Sequence, residues 1–331
     1  MLFLNGAKRF FYFKQLLLLV ICLVSFFLIH QHLQSRVSLK PQFVSLLQGN
    51  HDQRYKQNPD HRAGIKLNYL TLLSQVPKNS LVIMPETIVP RNVIWDDYFM
   101  TRVRFLAKEK HLGVLIGTPV YKEGLFYNGI IYVDEDGVSD DIYLKQRLMP
   151  FGEYLPFRKF FSKIPFIAKH IFFNDFASAD NATLIMAKGL SLGSAICLES
   201  LYPIYFRKQV MNGAQLLVVV SNNAWFFDSS AAAKQFQMTR LRAIEMNRPL
   251  LHVANTGISG VILPTGKVLT QSKLNEKIVL SDTIYWGQNN SFYSICGDWV
   301  VLLSALIVSV NVIFRLYKIG FFNRFLRRFF K

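Results

Sequence analysis

Ser80-Leu-Val-Ile-Met84 and Gly113-Val-Leu-Ile-Gly117 are two short apolar runs, separated by an amphipathic stretch over residues 96–109. Apolar runs of this length without polar alternation are typical of strands that are buried on both faces. An order of apolar strand, amphipathic helix and apolar strand is typical of α/β domains. This segment therefore predicts an α/β fold in which the strands lie between other layers.

The same alternation continues through most of the chain. Further strand-like runs are Gly129–Val133, Gly193–Cys197 and Leu216–Val220, and the other helical patterns cover 62–75 and 231–247. Two short polar segments predict hairpin turns: Asp134-Glu-Asp-Gly137 and Pro264-Thr-Gly266. The apolar residues of 157–180 follow neither a helical nor a strand period, and we expect a long loop there.

Two longer apolar runs flank this domain, Leu16–Ile29 and Trp299–Phe314. Each is long enough to cross a bilayer when its flanking residues are included. A cleaved signal peptide is the alternative for the first run, but residues 30–36 lack the small residues that a signal peptidase needs. We therefore predict an uncleaved anchor.

The formal net charge of +17 is concentrated at the two ends of the chain. Residues 1–14 and 315–331 contribute nine basic residues and no acidic one. This pattern is typical of cytoplasmic segments next to a membrane and does not favour a nucleic-acid surface. We predict an anchor over 1–36, an extracytoplasmic domain over 37–292, and a helix with a basic cytoplasmic tail over 293–331.

Three residues at predicted strand ends could carry chemistry: Glu86, Lys145 and Cys197. Such residues gather at the carboxyl ends of strands in open α/β sheets. Taken singly, each has an ordinary explanation: an inert core thiol, a solvated turn carboxylate or a surface ammonium. Taken together, a carboxylate could remove the thiol proton and an ammonium could stabilise the oxyanion that follows.

Histidine could replace the carboxylate as the base, and His252 is the nearest candidate. The chain contains no CxxC or HxxxH spacing, and only three cysteines. We therefore predict no disulfide framework, no metal site and no cofactor.

Several blocks of sequence around these residues resemble bacterial apolipoprotein N-acyltransferases, which belong to the nitrilase superfamily. The blocks are Met84-Pro-Glu-Thr87, Tyr127-Asn-Gly-Ile130, Met149-Pro-Phe-Gly-Glu-Tyr-Leu-Pro156, Ile196-Cys-Leu-Glu199, Ser221-Asn-Asn-Ala-Trp-Phe226 and the segment from Gln235 to Glu245. Their order and number make the resemblance specific, and it extends from Gln48-Gly-Asn50 to the last apolar run.

The resemblance implies a four-layer αββα sandwich and an acyl transfer through a thioester. Glu86 would be the general base, Cys197 the nucleophile and Lys145 an oxyanion stabiliser with the backbone N–H of Leu198. The residues that would support the site or bind substrate are Glu153, Glu199, Leu198, Asn128 and Trp225. A phospholipid would donate the acyl chain to an apolipoprotein at the bacterial inner membrane.

The chain differs from the family in three features. Members usually carry a bundle of membrane helices before the catalytic domain, and here one apolar run precedes it. The resemblance therefore implies that a separate membrane-helix partner supplies the bundle, or that it is missing. Leu198 and Gln57 also stand where the family usually has aromatic residues.

Two other functions stay open at this stage. A membrane-tethered amidase or C–N hydrolase would use the same triad with water as the acceptor. A non-catalytic paralogue would bind lipid or lipoprotein, but it predicts decay of the triad, whereas Glu86, Lys145, Glu153 and Cys197 are all present.

Overall fold

A computed structural model of the chain describes residues 41–158, 175–226, 229–287 and 289–318, together with 13–14, 16–17, 19–25 and 27–28. The described residues between 13 and 28 are helical. The rest of the predicted first anchor, the tail beyond 318 and residues 159–174 of the predicted long loop lie outside the described residues.

The strands form two sheets of six strands each. Their bounds in chain order are β1 Pro41–Gln48, β2 Leu81–Ile83, β3 Gly113–Lys122, β4 Leu125–Val133, β5 Tyr143–Leu144, β6 Ile185–Ala187, β7 Leu190–Ile196, β8 Leu216–Ser221, β9 Leu250–Ala254, β10 Gly260–Ile262, β11 Val268–Gln271 and β12 Ile278–Tyr285. All five predicted strands are confirmed, and the turns at 134–137 and 264–266 each close an antiparallel pair.

Most of the helices connect one parallel strand to the next along the chain. Their bounds are α1 Gln53–Gln57, α2 Arg62–Ser74, α3 Asp97–Lys110, α4 Pro203–Met211, α5 Ala231–Met246, α6 Phe292–Cys296 and α7 Trp299–Lys318. The predictions for α2, α3 and α5 are correct to within one residue at each end. Asp96 shows why α3 begins where it does, because its side chain accepts a hydrogen bond from the backbone N–H of Phe99 at 3.0 Å.

Sheet I has the order β12-β1-β2-β3-β4-β5, and sheet II has the order β6-β7-β8-β9-β10-β11. In both sheets, three parallel strands lie between one antiparallel strand on one side and two on the other. The two sheets therefore share one strand arrangement, although their connectivity differs at one edge and the sequence shows no internal repeat. Since β12 returns to pair with β1, the end of the domain closes onto its start.

Alternate residues of the central strands face different cores. Leu81 and Ile83 of β2 lie in the core between the two sheets, whereas Val82 lies in the core under α2 and α3. In sheet II, Val218 faces the core between the sheets and Val219 faces α4 and α5. The order of layers is helices, sheet I, sheet II and helices. The predicted four-layer αββα sandwich is thereby confirmed.

The last helix, α7, differs from the others in its exposure. Residues 299–317 are apolar enough and long enough to cross a membrane, with a mean hydropathy of 2.2, and none of that span is buried in the protein. Among the described residues, it is the one helix that meets this test. A helix that is apolar and yet exposed needs an apolar environment, which the other described residues do not supply.

Candidate active site

Glu86 follows β2 on a loop that passes very close to sheet I. A Cβ atom on Gly117 would lie 2.3 Å from the Pro85 carbonyl oxygen and 2.8 Å from the Glu86 Cα, so only glycine fits on the neighbouring strand. The next residue, Thr87, has a φ of 46°, a value that a β-branched residue rarely adopts. The backbone is thus strained where it presents the carboxylate.

Both carboxylate oxygens of Glu86 are hydrogen-bonded. Oε1 accepts from Asn128 Nδ2 at 2.7 Å and lies 3.2 Å from Lys145 Nζ. Oε2 accepts from the backbone N–H of Asn222 at 2.8 Å. Asn222 follows β8, so this last hydrogen bond joins the loop of sheet I to sheet II.

Lys145 is 1 % exposed and follows β5, the edge strand of sheet I. Its Nζ lies 2.9 Å from Glu153 as well as 3.2 Å from Glu86. Burial alone would lower the pKa of this ammonium, but the two carboxylates outweigh burial and raise it above its ordinary value. Lys145 is therefore a fixed positive charge.

Asn128 and Glu153 complete the polar cluster around Lys145. Asn128 Nδ2 donates to Glu153 Oε1 at 2.7 Å as well as to Glu86, so one amide bridges the two carboxylates. Glu153 Oε2 accepts from the backbone N–H of Met149 at 2.7 Å. We call Glu86, Asn128, Lys145 and Glu153 the Lys145 cluster.

Cys197 follows β7 and is partly exposed, with a φ of 52°. Gln235 Nε2 and Ser200 Oγ donate to its carbonyl oxygen at 2.9 and 2.7 Å, which holds the left-handed turn in place. Burial and the charge of Glu86 raise the pKa of the thiol to about 12, and Lys145 partly opposes them. The thiol is therefore neutral near pH 7 and needs a base when it attacks.

Glu199 joins the turn of Cys197 to the loop of Lys145. Its Oε1 accepts from the backbone N–H groups of Gln146 and Arg147 at 2.6 and 3.0 Å. Its Oε2 accepts from the backbone N–H of Ile196 and from the Tyr143 hydroxyl at 2.7 and 2.8 Å. With four donors on one buried carboxylate, the two loops are fixed relative to each other.

The remaining predicted residues lie further from the Lys145 cluster. Leu198 is partly exposed beside Cys197, and Trp225 is 55 % exposed on a 3₁₀ turn after β8. His252, the alternative base, lies on the helix side of sheet II, where its Nδ1 is 3.1 Å from Thr239 Oγ1. Cys197 packs against the core between the sheets, so His252 is on the opposite face from the thiol.

Two site residues were missed from the sequence. Asn222 contributes through its backbone N–H, which no side-chain pattern reveals, although it lies within one of the blocks quoted above. Lys56 is a second buried lysine, close enough to Glu86 for their charges to interact. The sequence feature that could have pointed to Lys56 is its place directly before Gln57, in the segment that follows Gln48-Gly-Asn50.

The geometry brings together the thiol of Cys197, the carboxylate of Glu86 and the ammonium of Lys145. A carboxylate can take the thiol proton, and the ammonium can stabilise an anion that forms beside it. The strand ends that supply these groups come from both sheets, and the hydrogen bonds of Glu86 and Glu199 tie them together. The site therefore has the parts that attack on a carbonyl carbon requires.

The chain belongs to the carbon-nitrogen hydrolase family, whose sequence profile matches residues 44–286. Within that family it is similar to apolipoprotein N-acyltransferases. It is 32% identical over 309 residues to the one from Geobacter metallireducens, covering 88% of this chain and 58% of that protein. It is 31% identical over 273 residues to the one from Methylococcus capsulatus, covering 81% and 53%. The chain spans about half the length of the curated relatives it matches.

Solved structures agree on the fold. A CN-hydrolase superfamily protein from Xanthomonas campestris, with an arsenic adduct in its active site, has a TM-score of 0.56 at 20% identity and covers 74% of this chain and 91% of its own. Nit3 of Saccharomyces cerevisiae, a member of the nitrilase superfamily, also has a TM-score of 0.56, at 16% identity, with coverage of 75% and 92%. At this identity the likeness extends to the fold alone.

Proposed function

We propose that the chain is an N-acyltransferase that moves a fatty acyl chain from a phospholipid, through a thioester on Cys197, to the N-terminal amine of a diacylglyceryl-cysteine apolipoprotein. The observation that carries the proposal is the convergence of Cys197, Glu86 and Lys145 in a chain that resembles apolipoprotein N-acyltransferases over 88% of its length.

In the first step, Glu86 takes the thiol proton while the sulfur of Cys197 attacks the ester carbonyl carbon of the phospholipid. Lys145 Nζ and the backbone N–H of Leu198 stabilise the oxyanion of the tetrahedral intermediate. The intermediate collapses to a thioester, and the lysophospholipid alkoxide takes the proton from Glu86. Because the thiol pKa is raised, this proton transfer has to accompany the attack.

In the second step, the amine of the acceptor attacks the thioester carbonyl carbon. Glu86 takes a proton from the nitrogen and passes it to the departing thiolate, which restores the free thiol. The amide that forms is more stable than the thioester, so the transfer runs forward.

Three further residues position these groups. Glu153 and Asn128 hold Lys145 and Glu86 at their hydrogen-bonding distances, and Glu199 keeps the turn of Cys197 against the loop of Lys145. None of the three needs to contact the substrate. We expect their removal to misplace the reacting groups rather than to remove one of them.

The membrane context of the proposal is supported by α7 and by exposed aromatic residues near the site. Trp95, Tyr121 and Phe126 form an exposed cluster with ring centroids 5.0 to 6.2 Å apart. Phe126 and Asn128 lie on the same face of β4, so this cluster is next to the Lys145 cluster. We propose that residues 37–292 lie on the extracytoplasmic side of a bacterial inner membrane, between anchors at 1–36 and 293–331.

The test is to incubate the full-length protein in detergent with phospholipid, then with a diacylated lipopeptide, and to follow intact mass. We expect one acyl adduct on the wild type and on Cys296→Ala, an exposed-cysteine control, and none on Cys197→Ala. Transfer of the adduct to the lipopeptide supports the proposal. Release as free fatty acid alone would instead support a membrane-tethered hydrolase, and no adduct at all would contradict both.

A further inference from the structure

Lys56 is a buried cation without a counter-charge in direct contact. The residue is 2 % exposed on α1, and its Nζ has no hydrogen-bond partner among the residues that the structure describes. An ammonium has three N–H donors, and burying them without acceptors is costly. Burying the ammonium in this state lowers stability unless a bound group supplies the missing acceptors.

The segment that carries Lys56 is fixed to the candidate active site. Gln53 Oε1, also on α1, accepts from Asn222 Nδ2 at 2.9 Å, and the backbone N–H of Asn222 donates to Glu86. On the other side, Asn255 Nδ2 donates to Asn222 Oδ1 at 3.0 Å and to the His51 carbonyl oxygen at 2.7 Å. The position of α1 is therefore coupled to that of the base.

Glu86 attracts Lys56 without being its partner. Its two oxygens already accept from Asn128, Lys145 and Asn222. Burial lowers the pKa of Lys56 to about 8, and Glu86 only partly opposes this effect. His51, just before α1, is neutral near pH 7, since burial and the charge of Lys56 lower its pKa to about 4, so it is not a counter-ion for Lys56.

We propose that Lys56 binds the phosphodiester of the phospholipid acyl donor while the donor's ester is attacked by Cys197. The proposal rests on the function proposed above. A phosphate oxygen would supply the acceptor that the ammonium lacks, and lysine is a common phosphate ligand because it acts as a point charge. In a phospholipid, the phosphate and the ester share one glycerol unit, so both can lie in one site. The acceptor's reacting end is an amine, which a cation does not attract.

The first experiment measures binding without chemistry. In a Cys197→Ala background, the full-length protein in detergent is titrated with a short-chain phosphatidylglycerol and with the diacylglycerol of the same chains. We expect Lys56→Met to weaken phospholipid binding about 10- to 100-fold and to leave diacylglycerol binding unchanged. The variant Lys56→Arg should bind the phospholipid almost as tightly as the parent. Arg54→Met, an exposed cation on the same helix, should stay within about twofold of the parent.

The second experiment measures acylation of Cys197 with the cysteine restored. The variant Lys56→Met should need a higher phospholipid concentration for half-maximal acylation, while its acylation by a p-nitrophenyl ester of the same fatty acid should not change. Equal losses with both donors would mean that Lys56 acts through Glu86, which overturns the proposal. The proposal would also be wrong if Lys56→Met bound the phospholipid as tightly as its parent does.

Glycerol phosphate without acyl chains is the remaining ligand. If it binds as tightly as the phospholipid and depends equally on Lys56, the site recognises free phosphate esters, and the assignment to lipid is wrong. If the wild type forms no acyl adduct with either donor but Lys56 still selects phospholipid in the binding experiment, the proposed transfer fails while the phosphate site stands.

Discussion

Lys145 and Lys56 are two buried lysines whose charges both interact with the carboxylate of Glu86, and they differ in almost every other respect. Lys145 lies within 3.2 Å of Glu86 and 2.9 Å of Glu153, whereas the Lys56 ammonium has no hydrogen-bond partner among the described residues. The pKa of Lys145 is raised by its carboxylates, and that of Lys56 is lowered to about 8 by burial.

The fold stabilises the charge of Lys145 and not that of Lys56. Lys145 is held in place by Glu86 and Glu153 before any substrate binds, as expected for a group that must have a fixed position during the reaction. Burial of the unpartnered Lys56 ammonium should lower the stability of the protein, as expected for a group whose partner arrives with a ligand. Substitutions at the two positions should therefore change stability in opposite directions.

The largest effect is expected for Lys145→Met, which removes the cation and leaves Glu86 and Glu153 buried together. Breaking a buried ion pair by removing one partner typically costs about 3 to 5 kcal/mol. We expect the free energy of unfolding to fall by that amount, measured by denaturant titration of the detergent-solubilised full-length protein. The control is Lys78→Met, an exposed lysine whose loss should change stability by less than about 0.5 kcal/mol.

A double variant sharpens this result. If the cost comes from the unpaired carboxylates, adding Glu153→Gln to Lys145→Met should restore part of the lost stability, because one of the two uncompensated charges is gone. Additive losses in the double variant would mean that the two residues do not interact energetically, contrary to the 2.9 Å contact.

The second effect is on the pH dependence of stability and concerns Lys56. Its folded pKa is about 8, below the ordinary lysine value of about 10.4, so between these values the unfolded chain binds one more proton than the folded protein. Stability should therefore rise with pH in that window. Relative to Lys56→Met, the wild type should gain about 2 to 3 kcal/mol between pH 8 and 10.

The comparison with Lys56→Met isolates this effect. The pKa of Cys197 is raised to about 12, so the thiol lowers stability above pH 9, but it does so equally in both proteins. Because the pKa of Lys145 is raised, its stabilisation is retained throughout the window. A difference between the two proteins that does not change from pH 8 to 10 would contradict the account of Lys56 as an unpaired cation.

The sequence predicts most of the central architecture but little of the sheet edges. All residues of β8 are buried, so its sequence is an apolar run that predicts a strand. The edge strands have no such run, because β12 is only partly buried and β5 has two residues. The four-layer arrangement came from the family resemblance, because periodicity alone cannot tell one sheet from two.

The candidate site also has residues that the sequence predicts and residues that it does not. Glu86 and Cys197 have a signal in the sequence because each lies at the end of a predicted apolar strand. Lys145 follows the two-residue β5, so its signal is the family resemblance of the neighbouring block at 149–156. The backbone donor of Asn222 and the unpaired state of Lys56 depend on loop positions that are set by tertiary contacts. Such features carry no local pattern, so they emerge only from the folded chain.

A third prediction concerns Gly117, whose missing side chain makes room for the loop that carries Glu86. In Gly117→Ala the new Cβ would meet the Pro85 carbonyl oxygen at 2.3 Å, so the loop has to move and Glu86 with it. We expect the free energy of unfolding to fall by about 2 kcal/mol. The rate of Cys197 acylation should also fall, because Glu86 is displaced together with the loop. The matched control is Gly64→Ala on α2, where the Cβ would meet Tyr55 at 3.6 Å and should stabilise by up to about 1 kcal/mol.

The smallest expected effect is for Tyr143→Phe, which removes one of the four donors to Glu199. Three backbone N–H donors remain, so the carboxylate stays hydrogen-bonded, and we expect a loss of about 1 kcal/mol with little change in the rate of Cys197 acylation. Compared with the Lys145 and Lys56 variants, this variant tests whether the three remaining donors are enough to hold Glu199 in place. A loss as large as that of Lys145→Met would mean that Glu199 depends on this hydroxyl and that the network around Lys145 has no redundancy.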